Sequence, residues 1–597
     1  MIKWMSYSEE SFSIAQQQDK PVFLHLTAKW SCYCKNFEED CLQSIDIVDF
    51  INEKFVPILV DVDDRPDINS FYQKASYIVG QGSGLPLNIF LTSEGKPFSF
   101  LGYVSKGKEH FKTMLEKTLE LYNTSKEKIF RRAQNIMEAI KPSEILPGEI
   151  REEILQNPEE EIIREMDFEN GGFKKIPKFP IFSHIDLLLW RYWIRPKPWI
   201  KEAIEKTLKG MVLGGIYDHI EGGFHRYCKD KAWYVPDFEK LAIDNAWHVI
   251  NYLDAYTLLK DNFYREIALE TIDYLIKFLY SPEEKIFYSS QHCDSFYYTW
   301  KEEELREISD MTIVLVDTEA MIDDRFILVG RDRNLINQIR KKLLIYRGNR
   351  KTPEIDKTHY CFVNGISSEA LMKAYKVTGN KNFLHIAISA LQNTINKLYI
   401  NQKLYRRRDI EALLSDYSYL ILSLISAYEI TADEKYIEKA KEIMYLAISE
   451  LWDEKYGGFY ESSERVAAVK QKNIHDNFYP SSNSIMIINL LKLYAITEEK
   501  IFKSYAEKAL KAFSNVASAY LSPFYVKATL AFFDLLTLKV YTPASSEIAK
   551  AAIKLNIPFT VLSYQKENKG FIIPSLESKK FEPIDSIEKL IEFLRAK

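Results

Sequence analysis

The stretch AYEITADEKYIEKA, residues 427–440, places an aromatic residue eight positions after its tyrosine and an alanine twelve after it. Segments with the same spacing begin at Ala255, Ala374 and Leu493. In each, apolar residues recur every three or four positions on both sides of a polar turn, which is typical of two antiparallel helices joined by a short loop. Such repeats predict an array of helical hairpins that bury their faces against one another. The first gap leaves room for a further, degraded hairpin near residues 310–346.

A second repeat, Asp-x-x-x-Gly-Gly-Phe, occurs at residues 167–173, 218–224 and 453–459. The glycine pair permits backbone angles that other residues avoid, and the phenylalanine can begin a short extended segment across the end of a hairpin. Irregular, glycine-rich connections suit a closed ring better than an open solenoid, whose outer repeats need polar caps. We therefore predict an (α/α)6 toroid of about six hairpins over residues 161–540, with its site at one mouth.

Composition narrows the function. A chain of 597 residues is long enough for several domains. A net charge of −5 argues against general nucleic-acid binding, which needs a basic face. We find no apolar core of a signal peptide and no apolar stretch long enough to span a bilayer. Six cysteines do not form a disulfide framework. We expect a cytoplasmic protein that binds neither nucleic acid nor membrane.

The first 125 residues predict a strand, a helix and a second strand, followed by a β-hairpin and a closing helix. After the first strand comes Trp30-Ser-Cys-Tyr-Cys-Lys35, which matches the Trp-Cys-x-x-Cys-Lys motif of a thioredoxin, with Ser31 in place of the first cysteine. Pro86 occupies the place of the cis-proline of that fold. These features predict a thioredoxin-like α/β domain.

The serine changes the expected chemistry of that domain. The first cysteine of the motif is normally the attacking thiolate, whereas serine is a good helix cap and a poor redox nucleophile. We therefore expect a redox-degenerate site at Ser31, Cys32, Cys34 and Pro86. An unusual redox or metal site at Cys32 and Cys34 is the alternative. We predict no metal, because the nearest histidine, His25, lies upstream on a strand.

Longer blocks of sequence resemble one family. The chain is similar to the YyaL-like family of thioredoxin-domain-containing proteins, which includes the spermatogenesis-associated thioredoxin-like proteins of animals. The resemblance covers residues 1–540 and implies a thioredoxin-like domain followed by a toroid of the six-hairpin glycosidase superfamily. It rests on residues 61–69, 84–97, 171–180, 214–227, 233–246, 289–295, 356–365 and 480–484. The family usually has Cys-x-x-Cys where this chain has Ser31, histidine where it has Asp237, and aspartate where it has His292.

A dense set of ionisable residues surrounds the glycine-rich loop between residues 214 and 245. An acid, a base and an arginine at a hairpin mouth are what sugar chemistry needs. The candidate catalytic residues are His219, His225, Asp237, Glu239 and Asp244. The candidate substrate-binding residues are Tyr217, Asp218, Arg226, Trp233, Lys240, Asn245, Gln291, Asp294, Asn364 and Asn483. The structural alternative is that Arg226–Glu239 and Lys240–Asp244 are ion pairs that staple the loop, with the aromatic residues as core.

Together these patterns predict a multidomain α+β protein. Its parts are a thioredoxin-like domain (1–125), a charged helical linker (126–160), the all-α (α/α)6 toroid (161–540) and a small C-terminal α/β extension (541–597). We expect an enzyme of carbohydrate metabolism that binds a sugar and needs no cofactor. An epimerase or isomerase is slightly favoured over a glycoside hydrolase, because the cluster offers two histidines and no obvious carboxylate pair. The alternatives are a non-catalytic binding or quality-control adaptor, with a protein partner on the thioredoxin-like domain, and a thiol oxidoreductase using Cys32 and Cys34.

Overall fold

The computed structural model describes residues 1–104, 107–141, 145–464, 466, 469–519, 521–555, 559–576 and 579–595. The chain divides into two compact units. The first is Met1–Glu144 with Ser462–Gln471, and the second is Ile145–Glu461 with Lys472–Lys597. Residues 126–140, the first part of the predicted helical linker, form a helix that belongs to the first unit. Its Ala133 belongs to the core of that unit.

The first unit has the thioredoxin-like arrangement that the sequence predicts. Its four-stranded sheet has the order β2-β1-β3-β4, with β1 and β2 parallel and the other neighbours antiparallel. The Leu85–Pro86 peptide bond is cis, as predicted. The helices are α1 (Glu9–Gln17), α2 (Cys32–Phe37), α3 (Ile45–Lys54), α4 (Pro66–Ile78), α5 (Gly107–Thr124) and α6 (Lys126–Ile140), and the strands are β1 (Val22–Thr27), β2 (Val56–Asp61), β3 (Leu87–Leu91) and β4 (Pro97–Leu101).

The second unit is mostly helical. Its helices are α7 (Glu159–Arg164), α8 (Phe182–Ile194), α9 (Pro198–Leu213), α10 (Ala242–Leu259), α11 (Asn262–Tyr274), α12 (Ser295–Tyr298), α13 (Glu302–Ile308), α14 (Arg333–Arg347), α15 (Cys361–Thr378), α16 (Lys381–Leu398), α17 (Leu414–Thr431), α18 (Glu434–Leu451), α19 (Ser482–Thr497), α20 (Lys500–Ala519), α21 (Pro523–Asp534), α22 (Glu547–Leu555) and α23 (Ile587–Arg595). Its strands are β5 (Lys240–Leu241), β6 (Tyr280–Ser281), β7 (Ile286–Phe287), β8 (Ser290–Gln291), β9 (Val316–Ile322), β10 (Arg325–Leu328), β11 (Ile355–Asp356), β12 (Tyr399–Ile400), β13 (Lys403–Arg407), β14 (Ile410–Glu411), β15 (Leu536–Tyr541), β16 (Thr560–Tyr564), β17 (Phe571–Leu576) and β18 (Lys579–Lys580). No helix within these described ranges is long and apolar enough to cross a membrane.

Six helices form a closed inner ring in the order α8, α10, α15, α17, α19 and α21, and α21 packs back against α8. Helices α9, α11, α16, α18 and α20 each pack outside their hairpin partner. The inner helix α17 is buried on nearly all sides, whereas the outer helix α18 buries one face, as this layering requires. The predicted (α/α)6 toroid is confirmed.

The repeated tyrosine lies near the C-terminal end of four inner helices, α10, α15, α17 and α19. Residue 260, 379, 432 or 498 follows in the left-handed conformation, and its N–H donates to the carbonyl of the tyrosine four residues earlier. In three of the four hairpins, an aspartate or asparagine side chain then caps the outer helix. The hairpin interpretation of the repeat is therefore correct.

The prediction of a degraded helical hairpin near residues 310–346 is wrong. Strands β9 and β10 form a β-hairpin that turns at Asp323, which has a φ of +54°, and only α14 follows as a helix. Trp300, Leu305, Leu328 and Ile336 contribute to a separate hydrophobic cluster of this region. Residues 295–347 therefore form an insertion between the second and third hairpins.

The C-terminal extension begins at β15, earlier than residue 541. Its sheet has the order β16-β15-β17-β18, with β15 and β16 parallel and the other neighbours antiparallel. This is the strand order and direction of the N-terminal sheet. The N–H of Leu562 donates to Glu429 of α17 at 3.3 Å, which attaches the extension to the C-terminal half of that inner helix.

Candidate functional site

The three Asp-x-x-x-Gly-Gly-Phe loops precede the inner helices α8, α10 and α19 and share the same hydrogen bonds. The N–H of the first glycine donates to the aspartate carbonyl, and the aspartate N–H donates to the carbonyl of the second glycine. A lysine ammonium then donates to the aspartate carboxylate, at 2.7 Å for Lys178–Asp167, 2.8 Å for Lys240–Asp218 and 2.6 Å for Lys472–Asp453. These loops are held together by their own charged residues.

Three asparagines predicted to bind substrate instead hold the backbone of these and related loops. Each side-chain oxygen accepts the N–H of a phenylalanine, and each side-chain nitrogen donates to the carbonyl of the same residue. The pairs are Asn245 with Phe224 (2.7 and 3.1 Å), Asn364 with Phe287 (2.7 and 3.0 Å) and Asn483 with Phe459 (2.8 and 3.0 Å). All three asparagines are fully buried. The substrate-binding role is corrected to a structural one.

Asp218 and Lys240 are also structural. Arg347 of α14 reaches both carboxylate oxygens of Asp218, at 2.8 and 2.9 Å, and completes a buried triad with Lys240. Burial opposes ionisation of Asp218, but Arg347 and Lys240 hold its pKa well below the ordinary value. Lys240 does not form the alternative ion pair with Asp244, because its ammonium is used by Asp218 and the Gly222 carbonyl. The triad ties the insertion to the glycine loop.

The two candidate catalytic histidines are buried beneath this loop. His219 and His225 are 4% and 2% exposed. His219 Nε2 donates to the Gly214 carbonyl at 3.0 Å, and His225 Nδ1 donates to the Phe238 carbonyl at 3.1 Å. Burial lowers the pKa of His219 to about 4 and that of His225 well below its ordinary value. Each ring therefore uses one nitrogen for a backbone carbonyl, and the catalytic role of the two histidines stays a prediction.

Four further candidates have internal partners that explain their burial or position. Tyr217 donates its hydroxyl to Glu270, and Trp233 donates its indole N–H to the Gly171 carbonyl at 3.3 Å. Gln291 accepts the hydroxyls of Tyr274 and Tyr298 at 3.1 and 2.9 Å, and Asp294 caps α12 by accepting the Tyr297 N–H at 3.0 Å. These contacts correct the substrate-binding assignment of Tyr217, Trp233, Gln291 and Asp294.

The remaining predicted site residues form a group that we name the carboxyl cluster. Its members are Arg226, Asp237, Glu239 and Asp244. The N–H of Arg226 donates to the Glu239 carbonyl at 3.1 Å, so the two segments run side by side. Asp244 lies in the first turn of α10, a position where the helix dipole favours negative charge. The cluster therefore lies at the end of the toroid where the inner helices begin, which we call the mouth.

Glu239 carries the strongest electrostatic signal of the cluster. Its side chain is 2% exposed. Burial and the nearby charge of Asp237 raise its pKa to about 8, against an opposing effect of Arg226. Both effects favour the protonated form of Glu239, a carboxylic acid that lies beside other carboxyl groups at the mouth.

Half-buried aromatic residues from three loops surround the cluster. The rings of Tyr227 and Phe478 stack on Phe179, with centroids 4.5 and 4.0 Å away. Tyr227 donates its hydroxyl to Asp237, and Tyr479 donates its hydroxyl to Asp244. Such ring faces beside hydroxyl and carboxyl groups are suited to the two sides of a sugar ring.

Phe179, Phe478 and Tyr479 are site residues that the sequence analysis did not single out, and Asp476 lies near the last two in the chain. Asp476 accepts the N–H groups of Ser481 and Phe524 at 2.7 and 2.8 Å. Burial raises its pKa to about 7. The available signal was position, since residues 476–479 directly precede the inner helix α19.

The thioredoxin motif of the first unit begins with Ser31 at the N-terminus of α2, and its redox degeneracy stays a prediction. Ser31 caps α2 and accepts the Cys34 N–H at 3.4 Å. Cys34 is a free thiol, 1% exposed, and burial raises its pKa. Cys32 and Cys34 therefore do not bond to each other, and Cys34 lacks the activation of a redox thiolate. Across the described ranges, no group of three or more histidine, cysteine or acidic residues could hold a metal ion.

Two family models match the chain. A thioredoxin model of DsbH type, described as a protein of unknown function, DUF255, matches residues 1–141. Glycosyl hydrolase family 76 matches residues 336–537, which span α14 to β15 and do not include the carboxyl cluster. Among relatives, spermatogenesis-associated protein 20 of Homo sapiens is 25% identical and that of Mus musculus 24%. Each alignment covers 86% of this chain and 76% of the relative.

Solved structures also resemble the toroid. A D-mannose isomerase has a TM-score of 0.43 at 13% identity, covering 61% of this chain and 86% of its own. The cellobiose 2-epimerase of Bacillus thermoamylovorans has a TM-score of 0.43 at 12% identity, covering 62% and 87%.

The domain matches and relatives define the class, a thioredoxin-like domain joined to a six-hairpin toroid. Within that class, the chain is similar to the spermatogenesis-associated protein 20 relatives over 86% of its length, which supports the resemblance to the YyaL-like family.

Proposed function

We propose that the toroid acts on sugars by carboxyl acid–base chemistry at its mouth, and that it hydrolyses a glycosidic bond. The observation that carries this proposal is the burial of the Glu239 carboxyl group beside Asp237 and Asp244, which favours its protonated form. Glycoside hydrolysis requires one carboxyl group that donates a proton and a second that acts as carboxylate. The match to glycosyl hydrolase family 76 over residues 336–537 supports the same reaction class. We prefer hydrolysis to epimerisation, because each histidine already uses one ring nitrogen for a backbone carbonyl and its pKa is lowered, whereas the pKa of Glu239 is raised.

In the proposed reaction, Glu239 donates its proton to the oxygen of the leaving group as the glycosidic bond breaks. Asp244, at the start of α10, acts as the carboxylate on the anomeric carbon or on an attacking water. Arg226 donates hydrogen bonds to sugar hydroxyls, and the faces of Tyr227 and Phe179 pack on the ring. Because Glu239 is 2% exposed, substrate binding must uncover its carboxyl group.

Turnover of a glycoside panel tests the proposal. We expect the wild-type chain to release sugar from at least one α- or β-linked aryl glycoside or oligosaccharide. Glu239→Gln keeps the shape of the side chain but removes its acidic proton, and should reduce the rate by about 10²–10⁴-fold without lowering the melting temperature. Glu438→Gln, on the exposed face of α18, serves as the matched control.

Three results would contradict the proposal. One is full activity of Glu239→Gln. Another is exchange of solvent deuterium into a free sugar without hydrolysis, which would restore the epimerase interpretation. The third is saturable sugar binding without turnover of any substrate, which would favour the adaptor interpretation. We also propose a cytoplasmic location, because six cysteines among 597 residues are too few for the disulfide framework of a small secreted domain.

A further inference from the structure

A cavity of about 210 Å³ lies inside the toroid, lined by all six inner helices and by the C-terminal extension. Its lining includes Ser426 and Glu429 near the C-terminal end of α17, and Phe559 and Leu562 of the extension. None of its lining residues belongs to the carboxyl cluster. The cavity is therefore distinct from the proposed catalytic site at the mouth.

Charged side chains are unusually abundant in this interior. Each inner helix supplies at least one, and together the lining holds four carboxylates and four lysines. Three pairs bridge neighbouring helices, namely Asp186–Lys527 at 2.8 Å, Asp254–Lys373 at 2.6 Å and Lys376–Glu429 at 3.3 Å. Burying charges inside a ring costs free energy that an apolar filling would avoid. The presence of these buried charged side chains is explained if they interact with the polar groups of a ligand that enters the cavity.

Two groups that line the cavity remain available to hydrogen-bond a ligand. Glu369 Oε2 is buried and accepts no hydrogen bond from the described residues. Lys492 neighbours Glu429 electrostatically but forms no hydrogen bond or ion pair with the described part of the chain. A buried acceptor such as Glu369 Oε2 is energetically unfavourable until a ligand or water donates a hydrogen bond to it.

The aromatic residues that line the cavity indicate the shape of the ligand. Trp247 packs edge-to-face on Phe524, with ring centroids 5.8 Å apart, and Trp190 packs in the same way on Phe559 at 4.9 Å. All four rings line the cavity. Flat apolar faces combined with a belt of paired charges suit a molecule with hydroxyl groups around its edge and C–H groups on its faces.

We propose that this cavity is a second ligand site, for a neutral polyhydroxylated ring of monosaccharide size. Neutrality follows from the equal numbers of carboxylates and lysines, since a charged ligand would leave one buried charge uncompensated. Hydroxyl groups can donate to Glu369 and accept from Lys492 at once without breaking the three existing pairs. Access comes from solvent, because the Lys527 and Asp254 side chains keep 24% and 20% of their surface exposed. This inference does not depend on catalysis at the mouth.

Calorimetric titration of the full chain with D-glucose, D-mannose and D-galactose tests the inference. We expect saturable binding of at least one of these neutral hexoses. Glu369→Gln, which barely changes shape, should weaken that binding by about tenfold or more. Ile488→Trp, which fills the cavity from α19, should abolish it. Glu438→Gln, 66% exposed on the outer helix α18, should leave it unchanged.

The same titration separates this site from the mouth. Glu239→Gln alters only the mouth and should retain hexose binding in the cavity. Loss of binding in Glu239→Gln with full binding in Glu369→Gln would overturn the inference and leave the proposed function intact. Absence of hexose binding, or stronger binding of free amino acids or phosphorylated hexoses, would also overturn it.

Discussion

Asp218→Asn leaves two buried cations facing a neutral amide. Lys240 and Arg347, whose side chains are 1% and 3% exposed, both lie 2.8 Å from the Asp218 carboxylate. Removing one partner of a buried ion pair typically costs about 3–5 kcal/mol. Glu221 lies 3.5 Å from Arg347 and offsets part of this. We therefore expect the free energy of unfolding of the toroid to fall by about 3–4 kcal/mol.

Equilibrium urea unfolding followed by tryptophan fluorescence measures this loss, with the toroid transition analysed separately from that of the first unit. Asp453→Asn is the matched comparison, because Asp453 pairs with a single lysine that is 7% exposed, and its loss should be smaller. Adding Lys240→Met to Asp218→Asn removes one uncompensated charge and should restore part of the stability. A loss below about 1 kcal/mol for Asp218→Asn, together with lost turnover, would refute the structural role.

Three other substitutions or reactions test the fold and the corrected assignments. Asn483→Ala should lower the free energy of unfolding by about 2–4 kcal/mol, because it leaves a buried N–H and a buried carbonyl without partners, and urea unfolding measures this. Gly222→Ala should lower the melting temperature more than Gly379→Ala. Both glycines have φ above +70°, but only at Gly222 would the new Cβ lie 2.5 Å from a backbone carbonyl oxygen, that of Glu270, and equal losses would contradict this reasoning. Cys34 should not react with a thiol-specific reagent at neutral pH until the chain unfolds, because it is buried and its pKa is raised; rapid labelling of the native protein would restore the oxidoreductase alternative.

The hairpins could be predicted because their signals are local. The repeated tyrosine lies four residues before a left-handed residue. The residues that end one helix and cap the next lie within about ten positions of each other. The Gly-Gly pairs likewise predict positive φ at two adjacent positions. The β-hairpin of the insertion at 295–347 was missed, although Asp323-Asp324 is a turn signal, because the segment was interpreted as a degraded helical hairpin.

The site could be predicted only in outline, because closeness in sequence does not reveal which side chains point inward. His219 and His225 lie in the charged loop, yet both rings donate to backbone carbonyls beneath it. Arg347, which pairs with Asp218, is 129 residues away and lies in the insertion that the sequence misread. The aromatic partners of the cluster, such as Phe478, come from a different hairpin.

Titration of the Glu239 carboxyl tests most directly whether the mouth holds a proton donor at neutral pH. Carbon-13 NMR of protein labelled at the glutamate δ-carboxyl carbon would follow the signal that disappears in Glu239→Gln. Burial and the charge of Asp237 predict a midpoint near pH 8, above the ordinary 4.5. Activity that needs the protonated form should then fall as the pH rises through that midpoint. A Glu239 signal that titrates near pH 4.5 would contradict the acid role and the proposed hydrolytic mechanism.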